Sequence, residues 1–222
     1  MSPPITFLAA CALAAGVAAP AVAASQTFEY RVLHPTYGDV GSYTNVVEHV
    51  GDETTVTSDL RIAVRLLGIV VYRQEARRSE RWRGEHLVKF DGLTVTNGER
   101  LEVHGQAGDG GFAVTTANGT VIAPANVHPS NPWSAMVLHT NVMMSTRTGV
   151  ILQAHVSGGQ VEPVALAGNT LRLHQYEVIT DKHQFVWLDD NGTPIAFRTA
   201  ENGTPIDFVL RRRTELAAAG QN

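Results

Sequence analysis

Cysteine is almost missing: the 222 residues contain one, Cys11. A disulfide framework is therefore excluded. An excess of basic residues is also missing, with 17 Lys and Arg against 21 Asp and Glu and a formal charge of -4. That balance argues against a generic nucleic-acid binder, which carries a basic footprint. The 20 glycines and 10 prolines are too few and too scattered for a collagenous or low-complexity chain. What is present is 44% hydrophobic and only 17% charged. A chain of this size and composition folds as one domain and can bury its own core without crosslinks or a structural metal.

Charge is absent altogether from Met1 to Ala24, which has no Asp, Glu, Lys or Arg. Ile5 to Ala19 is nearly all apolar, Pro20 ends the run, and Ala21-Val22-Ala23-Ala24 supplies small residues for cleavage. This pattern predicts a signal peptide over 1–24 and a periplasmic mature protein. The apolar run, about 15 residues, falls short of the roughly 20 that cross a bilayer, so no transmembrane segment is expected in the mature chain. Leu8-Ala9-Ala10-Cys11 has the look of a lipoprotein processing site, but too short an apolar stretch precedes it and the run continues beyond. Cleavage after Ala24 leaves no thiol for disulfides, metals or catalysis.

From Ser25 onward, alternating runs are closed by turns. In Thr54–Leu66 the residues Val56, Leu60, Ile62, Val64 and Leu66 share one parity, and Thr55, Thr57, Asp59, Arg61 and Arg65 the other. Successive strand residues point to opposite faces, so such a segment has one dry and one wet face, as antiparallel sheets do. Similar runs follow through Pro205–Arg212. Links such as Gly51-Asp52, Asn97-Gly98, Asn118-Gly119, Gly158-Gly159 and Asn191-Gly192 suit tight hairpin turns. Asn191-Gly-Thr-Pro-Ile-Ala-Phe197 echoes Asn202-Gly-Thr-Pro-Ile-Asp-Phe208 and reads as two successive turn-plus-strand units. The prediction is an all-β fold: a single strongly curved antiparallel sheet, an open half-barrel of about a dozen strands, with one short helix. The single β domain spans 25–213, and 214–222 forms a frayed C-terminal tail.

Ala125–Ser145 breaks the alternation. Ser130 or Asn131 can cap a helix that starts at Pro132, with Trp133, Met136, Val137 and Met144 along one stripe. The expected helix covers about 132–145 and faces the concave side of the sheet, as a lid over a cavity.

Chemical signatures are sparse. The nine histidines contain no His-X-His or His-X-X-X-His pair, so no metal site is expected. Gly-X-Ser-X-Gly, P-loop and dinucleotide motifs are missing as well, and no cofactor is expected. By strand parity Arg73, Glu75, Arg77, Ser79, Arg81 and Arg83 share a face, which reads as a solvated outer surface laced with ion pairs. The unusual loops are His34-Pro-Thr-Tyr37-Gly-Asp39 and His128-Pro-Ser-Asn131-Pro-Trp133. Mixed polar and aromatic loops often line sites on a rigid scaffold. The candidate ligand-binding residues are therefore His34, Tyr37, His128, Asn131, Trp133, Met136, Val137 and Met144, and no catalytic residue is assigned.

Tyr30-Arg-Val-Leu-His-Pro-Thr-Tyr-Gly-Asp39, Leu66-Leu-Gly-Ile-Val-Val-Tyr-Arg73, Asn126-Val-His-Pro-Ser-Asn-Pro-Trp133 and Phe185-Val-Trp-Leu-Asp-Asp190 give the chain its further identity. It resembles an exported proteobacterial family of unknown function over nearly the whole mature chain. More remotely, its order of elements is similar to the Lol-type periplasmic lipoprotein carriers. That similarity implies an open half-barrel over an apolar cavity, although the carriers use several helices where this chain offers one. The leading expectation is a non-enzymatic periplasmic binding or carrier protein for an apolar or amphiphilic ligand, such as a lipid, or for an envelope partner. The alternatives are a hydrolase-like enzyme using His128 and its loop, and an envelope scaffold without a small ligand.

Overall fold

The computed structural model describes residues 24–166, 168–201 and 203–216. The expected signal peptide, except Ala24, and Cys11 lie outside the described residues. Eight strands come first: β1 (Ala24–His34), β2 (Gly38–Val50), β3 (Glu53–Leu66), β4 (Ile69–Arg83), β5 (His86–Thr96), β6 (Glu99–Gly108), β7 (Gly111–Thr116) and β8 (Gly119–Ala123). A connecting segment carries β9 (His128–Pro129), a 3-10 turn (Ala135–His139), β10 (Val142–Met144) and β11 (Ile151–Gln153). Five more strands close the chain: β12 (His155–Leu166), β13 (Asn169–Ile179), β14 (His183–Leu188), β15 (Pro194–Glu201) and β16 (Thr204–Leu216).

Two meanders, β1–β8 and β12–β16, join through the antiparallel β1–β16 pair into one 13-stranded antiparallel sheet. The sheet is strongly curved but not closed, with β8 and β12 as its edges. Segment 124–154 runs from one edge to the other and packs on the concave face as a strap. Its Val127, Trp133, Val137, Val142, Met143 and Met144 are buried in one cluster with the sheet residues Tyr30, Val56, Trp82 and Phe90. Each apolar side chain fully buried in this way stabilises by roughly 1.5–3 kcal/mol.

Three expectations are corrected. In place of a helix over 132–145 there is only the 3-10 turn Ala135–His139, capped by Ser134, whose side chain accepts from Met136 N. Met144 lies instead on β10, which pairs with β9 and β11 in a small second sheet. Val142, Met143 and Met144 are all buried, and a short buried run has no period that separates strand from helix. Gly158-Gly159 is no hairpin: β12 passes through it as a bulge against Gln175 and Tyr176. A Cβ on Gly158 would sit 2.4 Å from the Gln175 carbonyl oxygen, so only glycine fits this crossing. Finally, β16 continues to Leu216, taking in Thr214–Leu216 from the expected tail; residues 217–222 lie outside the described residues.

Candidate functional site

Strand parity builds the site. Along β4, Arg73, Glu75, Arg77, Ser79, Arg81 and Arg83 alternate with Gln74, Ala76, Arg78, Glu80 and Trp82. The first set faces solvent and forms exposed ion pairs, including Arg73–Glu75 at 2.6 Å, Arg77–Asp59 at 3.4 Å and Arg83–Glu53 at 2.8 Å. Pairs of this kind contribute at most about 1 kcal/mol each. The second set turns inward, so a glutamate and an arginine enter the dry face. Register places Ser58 of β3 between Asn45 of β2 and Arg78 of β4, with Glu80 between Val56 and Phe90.

Glu80 is fully buried. Its Oε2 accepts from Trp82 Nε1 and Trp133 Nε1, each at 3.0 Å, and its Oε1 accepts from Asn131 Nδ2 at 2.9 Å. Asn131 Nδ2 also donates to Ser58 Oγ at 3.0 Å, and the Tyr43 hydroxyl donates to Asn131 Oδ1. Ser58 in turn donates to Asn45 Oδ1 at 2.7 Å. One buried carboxyl thus ties the strap, through Asn131 and Trp133, to the middle of the sheet. Burial pushes the Glu80 carboxyl up to about 7, against the pull of its three donors.

His128 belongs to the strap, on β9, with its ring 4.9 Å from that of Trp82. Burial holds its imidazole down to about 4. It lines a small cavity of about 110 Å³ together with Met136, Glu85, His86, His139 and Thr140. The nearby hydroxyls serve the backbone: Thr140 Oγ1 bonds to Asn126 O and Val142 O, and Ser130 Oγ accepts from Thr146 N. Among the described residues, no group of three or more His, Cys, Asp or Glu is placed to hold a metal ion.

Glu80 and His128 titrate in opposite senses. A carboxyl raised from 4.5 to about 7 stabilises the fold below 4.5, and that contribution is lost as pH rises through 7. A histidine lowered from 6.5 to about 4 stabilises above 6.5, and that contribution is lost as pH falls through 4. The windows overlap and offset each other between about pH 4.5 and 6.5. Chemical denaturation of His128→Gln across this range is expected to expose the Glu80 dependence. Relative to wild type, its stability should fall with rising pH by up to about 1.4 kcal/mol per unit. A variant that tracks wild type at every pH would show that His128 is not held neutral.

A larger cavity, about 570 Å³, opens between the strap and the curved sheet. Val40, Tyr43, Leu60, Ile62, Phe197 and Phe208 line the sheet side, and Asn131, Pro132 and Met143 the strap side. Phe197 and Phe208, the aromatic ends of the sequence echo, face each other across β15 and β16 and stack with centroids 4.3 Å apart. The lining extends to the exposed Tyr37, Val71, Val150 and Lys182. Beyond Val71 the β3–β4 hairpin tip leaves Leu66, Leu67, Ile69 and Val70 exposed, Leu67 at 95%.

Of the residues singled out by sequence, His34, Tyr37 and Asn131 line the large cavity, and His128 and Met136 the small one. Trp133, Val137 and Met144 are packed in the core. His34 also shapes its own turn, its Nδ1 accepting from Thr36 N at 3.0 Å and Tyr37 N at 3.3 Å. Sequence reasoning missed Arg78, Glu80, Tyr43, Phe197 and Phe208. The signal for the first two was the β4 alternation itself, since an outward odd row obliges Arg78 and Glu80 to point inward.

A protein-family model described as "Domain of unknown function (DUF6134)" matches residues 30–211. The chain belongs to this family. The match covers the strap, both cavities and the main sheet apart from the outer ends of β1 and β16, so this arrangement is that of a DUF6134 domain. Among solved structures the fold is similar to the beta-barrel-like protein of the DUF1849 domain of unknown function from Brucella abortus. The TM-score is 0.65 at 8% identity, covering 90% of this chain and 100% of that one. No curated protein matches the chain in sequence.

Proposed function

We propose that this DUF6134 protein is a binding protein that takes an apolar or amphiphilic small molecule, of lipid-like chemistry, between its curved sheet and its strap. The observation that carries the reading is the unfilled cavity of about 570 Å³, walled by Val40, Leu60, Ile62, Phe197, Phe208 and Met143. Its size falls within the roughly 300–1,000 Å³ of small-molecule sites, and an apolar wall with few polar groups is what such sites share. A scaffold with no ligand has no use for an open interior, and the hydroxyls near His128 are committed to the backbone, which disfavours the hydrolase alternative. The exposed aliphatic hairpin tip beside the cavity rim supports a carrier that meets apolar surfaces. Export through residues 1–24 and residence in the periplasm belong to the same proposal, as does the architectural likeness to Lol-type carriers.

Titration with an environment-sensitive apolar fluorophore tests the reading. Wild type should bind it saturably. Ile62→Trp, which adds bulk to the cavity wall, should weaken binding at least about tenfold, equivalent to about 1.4 kcal/mol, while the protein still melts cooperatively. Unchanged affinity in a folded Ile62→Trp protein would place the probe elsewhere and count against the cavity.

A further inference from the structure

Resting on the reading of the large cavity as an amphiphile site, we infer that the ligand carries an anionic head group, a carboxylate or phosphate, and that Arg78 receives it. Arg78 lines the cavity from the centre of β4. Its Nε is buried and has no hydrogen-bond partner. No ion pair joins its guanidinium to a carboxylate among the described residues, whereas Arg73, Arg77 and Arg83 of the outer row each have one. A guanidinium held in apolar surroundings is stable only when an acceptor satisfies it.

The nearest candidate within the fold is Glu80, two residues along the same inward row. Its oxygens accept from Trp82, Trp133 and Asn131, and none of its hydrogen bonds comes from Arg78. Glu80 therefore attracts Arg78 through space but gives its Nε no hydrogen-bond acceptor, and the cavity is the side from which one can come. Lys182 also lines it, against the single carboxylate of Asp181, so together with Arg78 the lining favours an anion. The planar guanidinium fork matches a carboxylate or phosphate through two parallel bonds. Around it, Leu60, Ile62, Phe197, Phe208 and Met143 offer walls for an apolar chain.

Calorimetric titration of the purified protein at pH 8, below micellar concentrations, with dodecanoate, dodecyl phosphate, dodecanol and acetate separates the parts. Wild type should bind at least one of the two anionic amphiphiles about tenfold or more tightly than dodecanol, the scale of a charge-assisted contact, and acetate far more weakly. The preferred anion identifies the head group. Arg78→Met should bring the anion down to the alcohol's affinity while leaving dodecanol within about threefold, and Arg78→Lys should keep part of the preference. In wild type the Arg78 Nε–H resonance should move with the anionic amphiphile and not with dodecanol, which decides the matter even if a variant fails to fold. Equal affinity for anions and alcohol, with a still resonance, overturns the inference and leaves the amphiphile reading standing. Failure of every dodecyl compound to bind, or acetate binding as tightly as dodecanoate, overturns the amphiphile reading itself.

Discussion

Replacing Glu80 with leucine is expected to lower the unfolding free energy by about 3–5 kcal/mol, because the buried donors it satisfies each cost about 1–3 kcal/mol when left unpaired. Those donors are the indole nitrogens of Trp82 and Trp133 and the amide nitrogen of Asn131. Two of the three sit on the strap, so the change should release strap from sheet before the sheet itself melts. Hydrogen exchange should then show lost protection in residues 124–154 ahead of β1–β8. Glu80→Gln keeps the shape and one acceptor oxygen but turns an amide against other donors, and should cost less. Its deficit relative to wild type should shrink between pH 4.5 and 7, since wild type loses the contribution of Glu80 over that window. A leucine variant as stable as wild type would mean that the three donors are satisfied in some other way.

Trp133→Ala is expected to cost about 3–5 kcal/mol, the loss of a buried aromatic. Trp133 is 9% exposed, packs edge-on against Trp82 with centroids 6.0 Å apart, and donates to Glu80. From sequence the residue looks like a lid, for which a smaller loss would follow. It is not among the residues lining the large cavity. The two roles separate cleanly in Trp133→Phe, which keeps a ring and loses the donor. That variant should lose stability yet bind the apolar fluorophore within about threefold of wild type. Weakened binding without destabilisation would restore the lid.

The sheet was legible because its strands obey a period of two and its turns carry Asn-Gly and Asp-Gly. Even the 11-residue echo resolves into paired strands whose phenylalanines stack in the cavity wall. The strap was not legible. Its consecutive buried Val142, Met143 and Met144 have no alternation, and its polar residues answer to partners far along the chain: Asn131 to Glu80, 51 residues away, and to Ser58, 73 away. No local rule sees such a pairing. Arg78 and Glu80 were obscured differently, since a segment crowded with arginine reads as surface although its parity assigns the two residues to the interior. The outer row, by contrast, is the ion-paired solvated face that its charges suggest.

The central claim is that the concave interior is a ligand site and not merely loose packing. Methyl NMR of the purified protein with dodecanol, a neutral chain that makes no demand on Arg78, tests it most directly. The account expects saturable shifts at Ile62 and Met143, which line opposite walls of the cavity, with Val56, fully buried in the core, unmoved. Shifts confined to the exposed Leu67 and Ile69 at the hairpin tip, with Ile62 and Met143 still, would contradict it.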